Sequence, residues 1–344
     1  MPSPTTNPAS FPPGWFPVGY GELTRPGAPA DAFYGPSARI SEALVNTNHP
    51  FQKLVSLQPE VERMTMFGQG EYDVNDGMQL YGEVLLNRRM TKSNGYRQFW
   101  TYQYVYDYGG GVFGGDPVAV ANGWTGSFVG YSPTAITDHS DDTISVDYLR
   151  AVVGARGDLP WGDWNWDIAA QFSRSDGDYK SDIIWDDAIT PYEFRSSLCA
   201  GTLTDYRDVP CVDINWYGQE FLRGNFTSAE RAFLFGSVTG NTIYEQTSVE
   251  AYVTGNVFTL PAGPVGMVLG ALYQEDSIDD QPAQEIQDGQ AWGSSSAQIT
   301  QGEDATTAVY VELGVPLLKD LPFADELTFT ASGRYNDVDS YGSE

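Results

Sequence analysis

The chain has 344 residues, with 46 Asp and Glu against 18 Lys and Arg, and its formal charge is -28. Binding to a nucleic-acid backbone depends on Lys and Arg that displace counterions, so this charge excludes nucleic acid as a partner. Aromatic residues make up 14% of the chain, too many for a disordered protein. The longest near-apolar run, 264–273, is too short for a membrane helix.

Alternation of apolar and polar residues recurs over about ten residues at a time, in pairs joined by short turns. This pattern predicts four β-hairpins, at about 61–89, 144–175, 244–274 and 307–337. In each strand the apolar positions hold many Gly, Ala and aromatic residues. The charged side chains predicted for the opposite face are Arg63, Glu71, Glu83, Arg89, Asp167, Glu250, Glu312 and Arg334.

The connections between the hairpins are long, polar and rich in Gly and Asp, and they cover 91–142, 178–242 and 275–305. Long loops are uncommon in compact soluble domains, whereas short turns at one end of a sheet and long loops at the other are typical of transmembrane β-barrels. A soluble sandwich, the alternative, would have a core of branched aliphatic residues. The charged face also suits a wide lumen better than the filled interior of a small eight-stranded barrel.

Three stretches resemble the barrel of TonB-dependent outer-membrane receptors. They are LYGEVLLNRRMTKSNGYRQFW (80–100), LGALYQEDSIDDQP (269–282) and VELGVPLLKDLPFADELTFTASGRYNDVDSYGS (311–343). The last is the most specific, because it joins a strand, a periplasmic turn and a returning strand that ends in SGRY before a Tyr-Gly loop. The resemblance implies an all-β fold, an antiparallel transmembrane β-barrel segment. It would have about eight meandering strands of a larger barrel of the 22-stranded type, with long extracellular loops and short periplasmic turns.

The resemblance covers about 60–344, which is interpreted as the barrel region, and 1–59 is interpreted as an extracellular-loop segment that precedes it. We recognise no TonB box, plug domain or terminal strand ending in an aromatic residue, and the N-terminus lacks the pattern of a secretory signal peptide. The chain is therefore expected to be an internal segment of a receptor whose plug domain and remaining strands lie elsewhere.

The resemblance implies import of a scarce extracellular substrate across the outer membrane of a Gram-negative cell, energised by TonB through the plug. Ferric siderophores, cobalamin and oligosaccharides are all open as substrates. The expected partners are outer-membrane lipid, the plug domain and remaining strands, the TonB complex and the small-molecule substrate. The alternative is a secreted, soluble β-protein that binds carbohydrate through aromatic loops and is stabilised by Ca²⁺.

Catalysis is not expected from this sequence. Neither His49 nor His139 has a Ser or Cys partner at a motif spacing, and no GxSxG or HExxH motif occurs. No cofactor is expected either, apart from Ca²⁺ in the acidic loops. Asp276, Asp279 and Asp280 are the first choice for a divalent cation, although a solvated acidic face is the favoured interpretation.

The candidate substrate-binding residues are aromatic and lie where loops meet strands. For Trp100 and Tyr102, an interfacial girdle is favoured over substrate contact. For Trp216, Tyr217 and Phe221, substrate contact and packing within the loop are both open.

Two cysteines, Cys199 and Cys211, lie 12 residues apart in a polar stretch. They predict one disulfide that closes a surface loop in an oxidising compartment, and the alternative of two unrelated free thiols is less favoured because the flanking residues are polar.

Overall fold

The protein, seen in a computed structural model, is described over residues 50–100, 134–192, 199–215, 219–222, 224–322 and 324–343, and over four dipeptides at 16–17, 23–24, 107–108 and 111–112. The segment 1–59, expected to be an extracellular loop, lies mostly outside the described residues.

An antiparallel sheet of eight long strands forms the body of the protein. The strands are β1 (Glu60–Asn75), β2 (Met78–Ser93), β3 (Asp142–Asp158), β4 (Asn165–Ile184), β5 (Phe235–Leu260), β6 (Gly263–Gln281), β7 (Thr300–Leu321) and β8 (Ala324–Val338). Each strand pairs with its neighbours in the sequence, and a two-residue strand, β9 (Gly342–Ser343), pairs with β8. The predicted all-β antiparallel meander is confirmed.

Short turns close the hairpins at one end of the sheet. Two residues join β1 to β2, β5 to β6 and β7 to β8, and six residues join β3 to β4. The first turn is the dipeptide Asp76–Gly77, a common hairpin sequence, and its Gly77 N–H donates to Asn75 Oδ1 at 2.9 Å. The connections at the other end are long, at 94–141, 185–234 and 282–299.

The strands are longer than predicted at the long-loop end. β4 continues to Ile184 and β5 begins at Phe235, inside the predicted loop 178–242, while β6 and β7 extend into the predicted loop 275–305. Most residues of these strand ends are polar on both faces, and the few apolar ones, such as Ile184 and Phe235, do not alternate with them, so the pattern that reveals a strand in the sequence is missing. They are joined by side chains as well as by backbone pairing, since Asn241 Nδ2 donates to Asp176 Oδ1 at 2.8 Å across β4 and β5.

The register of the sheet gathers the predicted charged side chains on one face, although apolar residues such as Phe67 and Leu272 also lie on it. All eight charged residues predicted for one face do share that face, which we call the polar face. The opposite face, called the apolar face, carries apolar or Gly residues at alternate positions of every strand. These positions run from Met78 to Leu86 on β2, from Val265 to Tyr273 on β6 and from Leu327 to Tyr335 on β8. Arg88, Glu275 and Asp337 follow them.

Neighbouring strands are staggered along the sheet. A line of paired residues on the apolar face passes through Tyr72, four residues before the β1–β2 turn, and reaches Tyr335, eleven residues after the start of β8. A progressive stagger of this kind accompanies strands that tilt around a barrel axis. Among the described residues, β1 pairs only with β2 and does not meet β8 or β9, so the sheet is open.

The largest buried cluster lies in the long loops rather than on the sheet. It contains Phe99, Ile184, Ile189, Ile214, Phe221, Phe233, Leu234, Phe235 and Trp292. Two helices, α1 (Gln219–Leu222) and α2 (Ser228–Leu234), contribute to it. Thr227 caps α2 by accepting from Glu230 N at 3.2 Å, while Glu230 Oε2 accepts from Thr227 N at 2.7 Å, which is a capping box. A third helix, α3 (Gln284–Gln287), lies in the last long loop. None of the described helices has the length and apolar composition to cross a membrane.

Candidate functional site

A chain of side-chain contacts crosses the polar face from β2 to β6. Arg150 on β3 donates to Gln171 on β4 at 2.7 Å and lies 3.5 Å from Glu83 on β2. Gln171 donates to Gln246 on β5 at 3.1 Å, and Gln246 donates to Asp276 on β6 at 2.8 Å. Each charged or amide group on this path therefore has a partner on a neighbouring strand, as polar groups need where water is limited.

A tyrosine on the same face lies across a glycine of the next strand. Tyr81 on β2 is paired in register with Gly154 on β3, and a Cβ atom added to Gly154 would overlap the Tyr81 ring. The Tyr81 hydroxyl reaches over the glycine and donates to Asp167 on β4 at 2.7 Å. The absent side chain of Gly154 therefore permits a contact between strands that are not neighbours.

The arrangement occurs twice more on the polar face. Tyr310 on β7 lies over Gly270 on β6 and donates to Glu250 on β5 at 2.9 Å. Tyr179 on β4 lies over Gly240 on β5 and donates to Asp280 on β6 at 3.1 Å. Three tyrosines thus tie the polar face together across β2–β4, β4–β6 and β5–β7.

The long loops pack together into one body at the far end of the sheet. Phe99 belongs to the first long connection, Phe221 to the second and Trp292 to the third. The ring of Phe99 lies 6.0 Å from that of Phe221, 6.0 Å from that of Phe235 and 6.4 Å from that of Trp292. Aromatic pairs at these distances add to the burial of apolar surface. We call this body the loop cluster.

A buried ion pair fastens the loop cluster to the end of β4. The side chains of Arg207 and Asp187 are 12% and 3% exposed, and their nearest charged atoms are 2.8 Å apart. Arg207 also donates to the carbonyl oxygen of Phe233 at 2.8 Å and lies 4.6 Å from the ring centre of Trp185. The partners of Arg207 satisfy a charge that would be costly to bury alone.

Arg97 joins the first and third long loops. Its Nη2 donates to the carbonyl oxygen of Trp292 at 2.7 Å, and its guanidinium lies 5.4 Å from the Trp292 ring centre. Burial lowers the pKa of Arg97 from its ordinary value. In the same region, partial burial and a hydrogen bond to Asp288 raise the pKa of Tyr206.

Cys199 and Cys211 form a disulfide in the loop cluster, with their Cα atoms 5.6 Å apart. Both residues are buried. Asp213 Oδ1 accepts from the backbone N–H groups of Cys199 at 2.5 Å and of Ala200 at 2.9 Å. The disulfide and this carboxylate hold the loop against the buried aromatic rings.

The aromatic residues predicted to contact substrate differ in where they lie. Phe221 is 4% exposed and packs inside the loop cluster, which is one of the two roles that the sequence left open for it. Trp100 ends a short strand, Arg97–Trp100, that pairs with Thr134–Thr137. The Trp100 side chain, and Tyr102, Trp216 and Tyr217 entirely, lie outside the described residues, so the roles weighed for them from the sequence stay predictions.

The structure does not bring together the three carboxylates predicted to hold a divalent cation. Asp276, Asp279 and Asp280 lie on β6 rather than in a loop, because β6 continues to Gln281. Alternation places Asp276 and Asp280 on the polar face and Asp279 on the other. Their carboxylates accept from side chains instead, as Asp276 does from Tyr244 at 2.5 Å. In the part of the chain that the structure describes, no three acidic, His or Cys side chains are placed to share a metal ion.

No family model and no curated protein sequence matches the chain. Among solved structures, the chain is similar to the open form of the ferric-catecholate import receptor Fiu from E. coli K12, with 11% sequence identity and a TM-score of 0.31. The match covers 88% of this chain and 44% of the receptor, so the chain spans less than half of that receptor's length. A likeness at this TM-score carries no functional argument.

Proposed function

We propose that this chain forms part of the β-barrel wall of a TonB-dependent transporter in the outer membrane of a Gram-negative cell. The observation that supports the proposal most is the apolar face of the sheet. On β2, β6 and β8 its apolar segment covers nine residues and then meets a charged one. Strands of about 9 to 11 residues, tilted by about 45°, cross the hydrocarbon core of a bilayer.

The apolar face is also open to its surroundings. Met64 is 66% exposed, Val153 65% and Phe329 55%. Apolar patches of this extent are rare on soluble monomers and mark contact with a membrane or another protein. Lipid in contact with the apolar face would remove these side chains from water along the whole sheet.

The polar face supports a lumen that holds water and protein. Several of its charged residues are paired across strands, as Arg150 is with Glu83 and Arg156 is with Glu71 at 2.9 Å. Within the proposed receptor this face surrounds the plug domain, and the remaining strands close the barrel at the two edges of the sheet. TonB acts on the plug, and the inner-membrane proton gradient supplies the energy for import.

The loop cluster is the extracellular end of the proposed transporter, and the short turns face the periplasm. A scarce small molecule, whether a ferric siderophore, cobalamin or an oligosaccharide, binds between these loops and the plug before import. The resemblance of 311–343 to TonB-dependent receptors supports this assignment, as do the short turns at one end of the sheet and the packed loops at the other.

Expression of the full-length protein in a Gram-negative host tests the proposal. The protein should fractionate with the outer membrane, require detergent for extraction and migrate faster on gels before heating than after. Uptake of its substrate should stop in a host that lacks TonB. A water-soluble monomer that binds carbohydrate without detergent would contradict the proposal and support the secreted β-protein instead.

A further inference from the structure

Two arginines stand directly opposite each other on the polar face. Arg63 on β1 and Arg89 on β2 are partners in the register of the hairpin, and both side chains are exposed. Side chains in direct register have Cβ atoms about 5 Å apart, and like charges in this position repel. Such a pair is unexpected by chance in a chain with 18 basic residues against 46 acidic ones.

Other arginines of this face have partners, whereas these two have none among the residues that the structure describes. Arg156 binds Glu71, Arg150 contacts Glu83, and Arg334 donates to Asn336 at 2.7 Å. No side chain in the described ranges forms a hydrogen bond or ion pair with Arg63 or Arg89.

The nearest described carboxylates on the polar face of these two strands are far away. Glu71 lies eight residues from Arg63 along β1, and Glu83 lies six residues from Arg89 along β2. At about 3.3 Å per residue these separations are roughly 26 and 20 Å, longer than the screening length of about 8 Å at physiological salt. The two positive charges therefore have no counter-ion close by on the polar face of their own two strands.

We propose that Arg63 and Arg89 form a binding site for an oxyanion, the carboxylate or phosphate group of a small solute. Each guanidinium presents a planar fork of N–H donors that fits the two oxygens of such a group. An anion between them replaces their mutual repulsion with two charge-assisted contacts. Tyr148 on β3 and Asn87 on β2 lie one position further along the same face and place further polar groups beside the site.

The position of the pair favours a solute that enters between the long loops. Arg63 is the fourth residue of β1 and Arg89 lies four residues before the end of β2, so both are at the long-loop end of the polar face. This route of entry rests on the proposed transporter function, in which that end is extracellular. The anion site itself depends only on the two side chains and their surroundings.

Calorimetric titration of the full-length protein in detergent tests the site, with citrate and inorganic phosphate as separate probes. We expect at least one probe to bind, and Arg63→Gln and Arg89→Gln each to lower its affinity about tenfold or more. The effect should weaken as NaCl is raised, because the contact is ionic. Arg88→Gln is the matched control: it removes the same charge one residue away, but on the apolar face, and should leave the affinity unchanged.

Equal affinities in the wild type and both polar-face variants would overturn the proposal, as would an equal loss in Arg88→Gln or no binding of either probe. The other candidate for the group that binds the two arginines is a carboxylate of the protein itself. In that case the wild type would bind neither probe, and Arg63→Gln would lower the unfolding temperature of the ligand-free protein, which also overturns the proposal. Fractionation with the outer membrane is measured separately, so a failure of the anion site is distinguishable from a failure of the transporter assignment.

Discussion

Two glycines on the same face of β6 differ in what they permit. A Cβ atom at Gly270 would overlap the ring of Tyr310, whereas one at Gly266 would meet nothing within 4 Å. Both have ordinary strand conformations, because neither has a positive φ. The tyrosine, rather than the backbone, accounts for the glycine at position 270.

Gly270→Ala should therefore destabilise the protein. The added methyl group must displace the Tyr310 ring, which costs about 1–3 kcal/mol of unfolding free energy as overpacking does elsewhere, and it weakens the hydrogen bond to Glu250. Urea unfolding of the refolded protein measures the effect.

Gly266→Ala is the control on the same strand and face. It should be neutral or slightly stabilising, since alanine reduces the freedom of the unfolded chain. Equal destabilisation by both substitutions would show that Tyr310 does not occupy the space above Gly270.

The residue types on the polar face were predictable from the sequence, but their partners were not. Tyr81 and Asp167 are 86 positions apart and separated in the sheet by Gly154. Their contact depends on the register of two strand pairs, and alternation in one strand contains no information about register with another. The sequence signal is limited to a tyrosine and a glycine at polar-face positions of different strands.

At the scale of the strand, adjacent residues of β4 have opposite surroundings. Ala170 faces the same side as Val153 and Val249, its partners in register, whereas Ala169 lies opposite Glu250. The two alanines are neighbours on β4 and differ mainly in which face of the sheet they occupy. The same substitution at each position therefore isolates the effect of contact with lipid.

Ala170→Arg should block assembly into the outer membrane, and Val253→Arg on β5 should do the same. An arginine at the midplane of the lipid-facing side of a barrel costs about 2–4 kcal/mol. The amount of heat-modifiable protein in the outer-membrane fraction measures assembly. Ala169→Arg should assemble at near wild-type levels; a similar loss in both alanine variants would contradict the facing of β4.

The buried ion pair of the loop cluster, Arg207 with Asp187, leads to a separate prediction. Arg207→Ala leaves the carboxylate of Asp187 buried without its charged partner, and loss of one member of a buried ion pair costs about 3–5 kcal/mol. We expect faster proteolysis of the loops in this variant while the sheet stays folded.

Arg88→Ala serves as the comparison, because Arg88 pairs with Asp147 on the surface, with side-chain exposures of 67% and 56%. Exposed pairs contribute below about 1 kcal/mol, so this variant should be digested at the wild-type rate. If the loops of Arg207→Ala are also digested at the wild-type rate, the buried pair does not hold the loop cluster.

The hairpins were predictable because each strand alternates over its apolar segment and ends at a short turn. The extensions of β4, β5, β6 and β7 were not, since most of their residues are polar on both faces and only pairing with a neighbour makes them strands. The same extension explains why the Asp276, Asp279 and Asp280 group was expected in a loop. Packing of Phe99 against Phe221 and Trp292 joins three separate loops, a contact that no local pattern reveals.

At the scale of the whole molecule, the protein combines an open amphipathic sheet with a buried core outside it. Soluble domains bury their apolar side chains between layers, but here the apolar face of the sheet is exposed and the buried aromatic cluster lies in the loops. The proposed place of the protein in the outer membrane therefore depends on contact between the apolar face and lipid.

Spin labels placed one at a time on β4 from Trp166 to Ser173 test this claim most directly, since Cys199 and Cys211 are held in a disulfide. In phospholipid vesicles, collisions with oxygen report on lipid and collisions with a water-soluble nickel chelate report on water. We predict oxygen maxima at 166, 168, 170 and 172 and nickel maxima at the odd positions between them. Equal access of the nickel chelate to both sets, or oxygen maxima at the odd positions, would contradict the account.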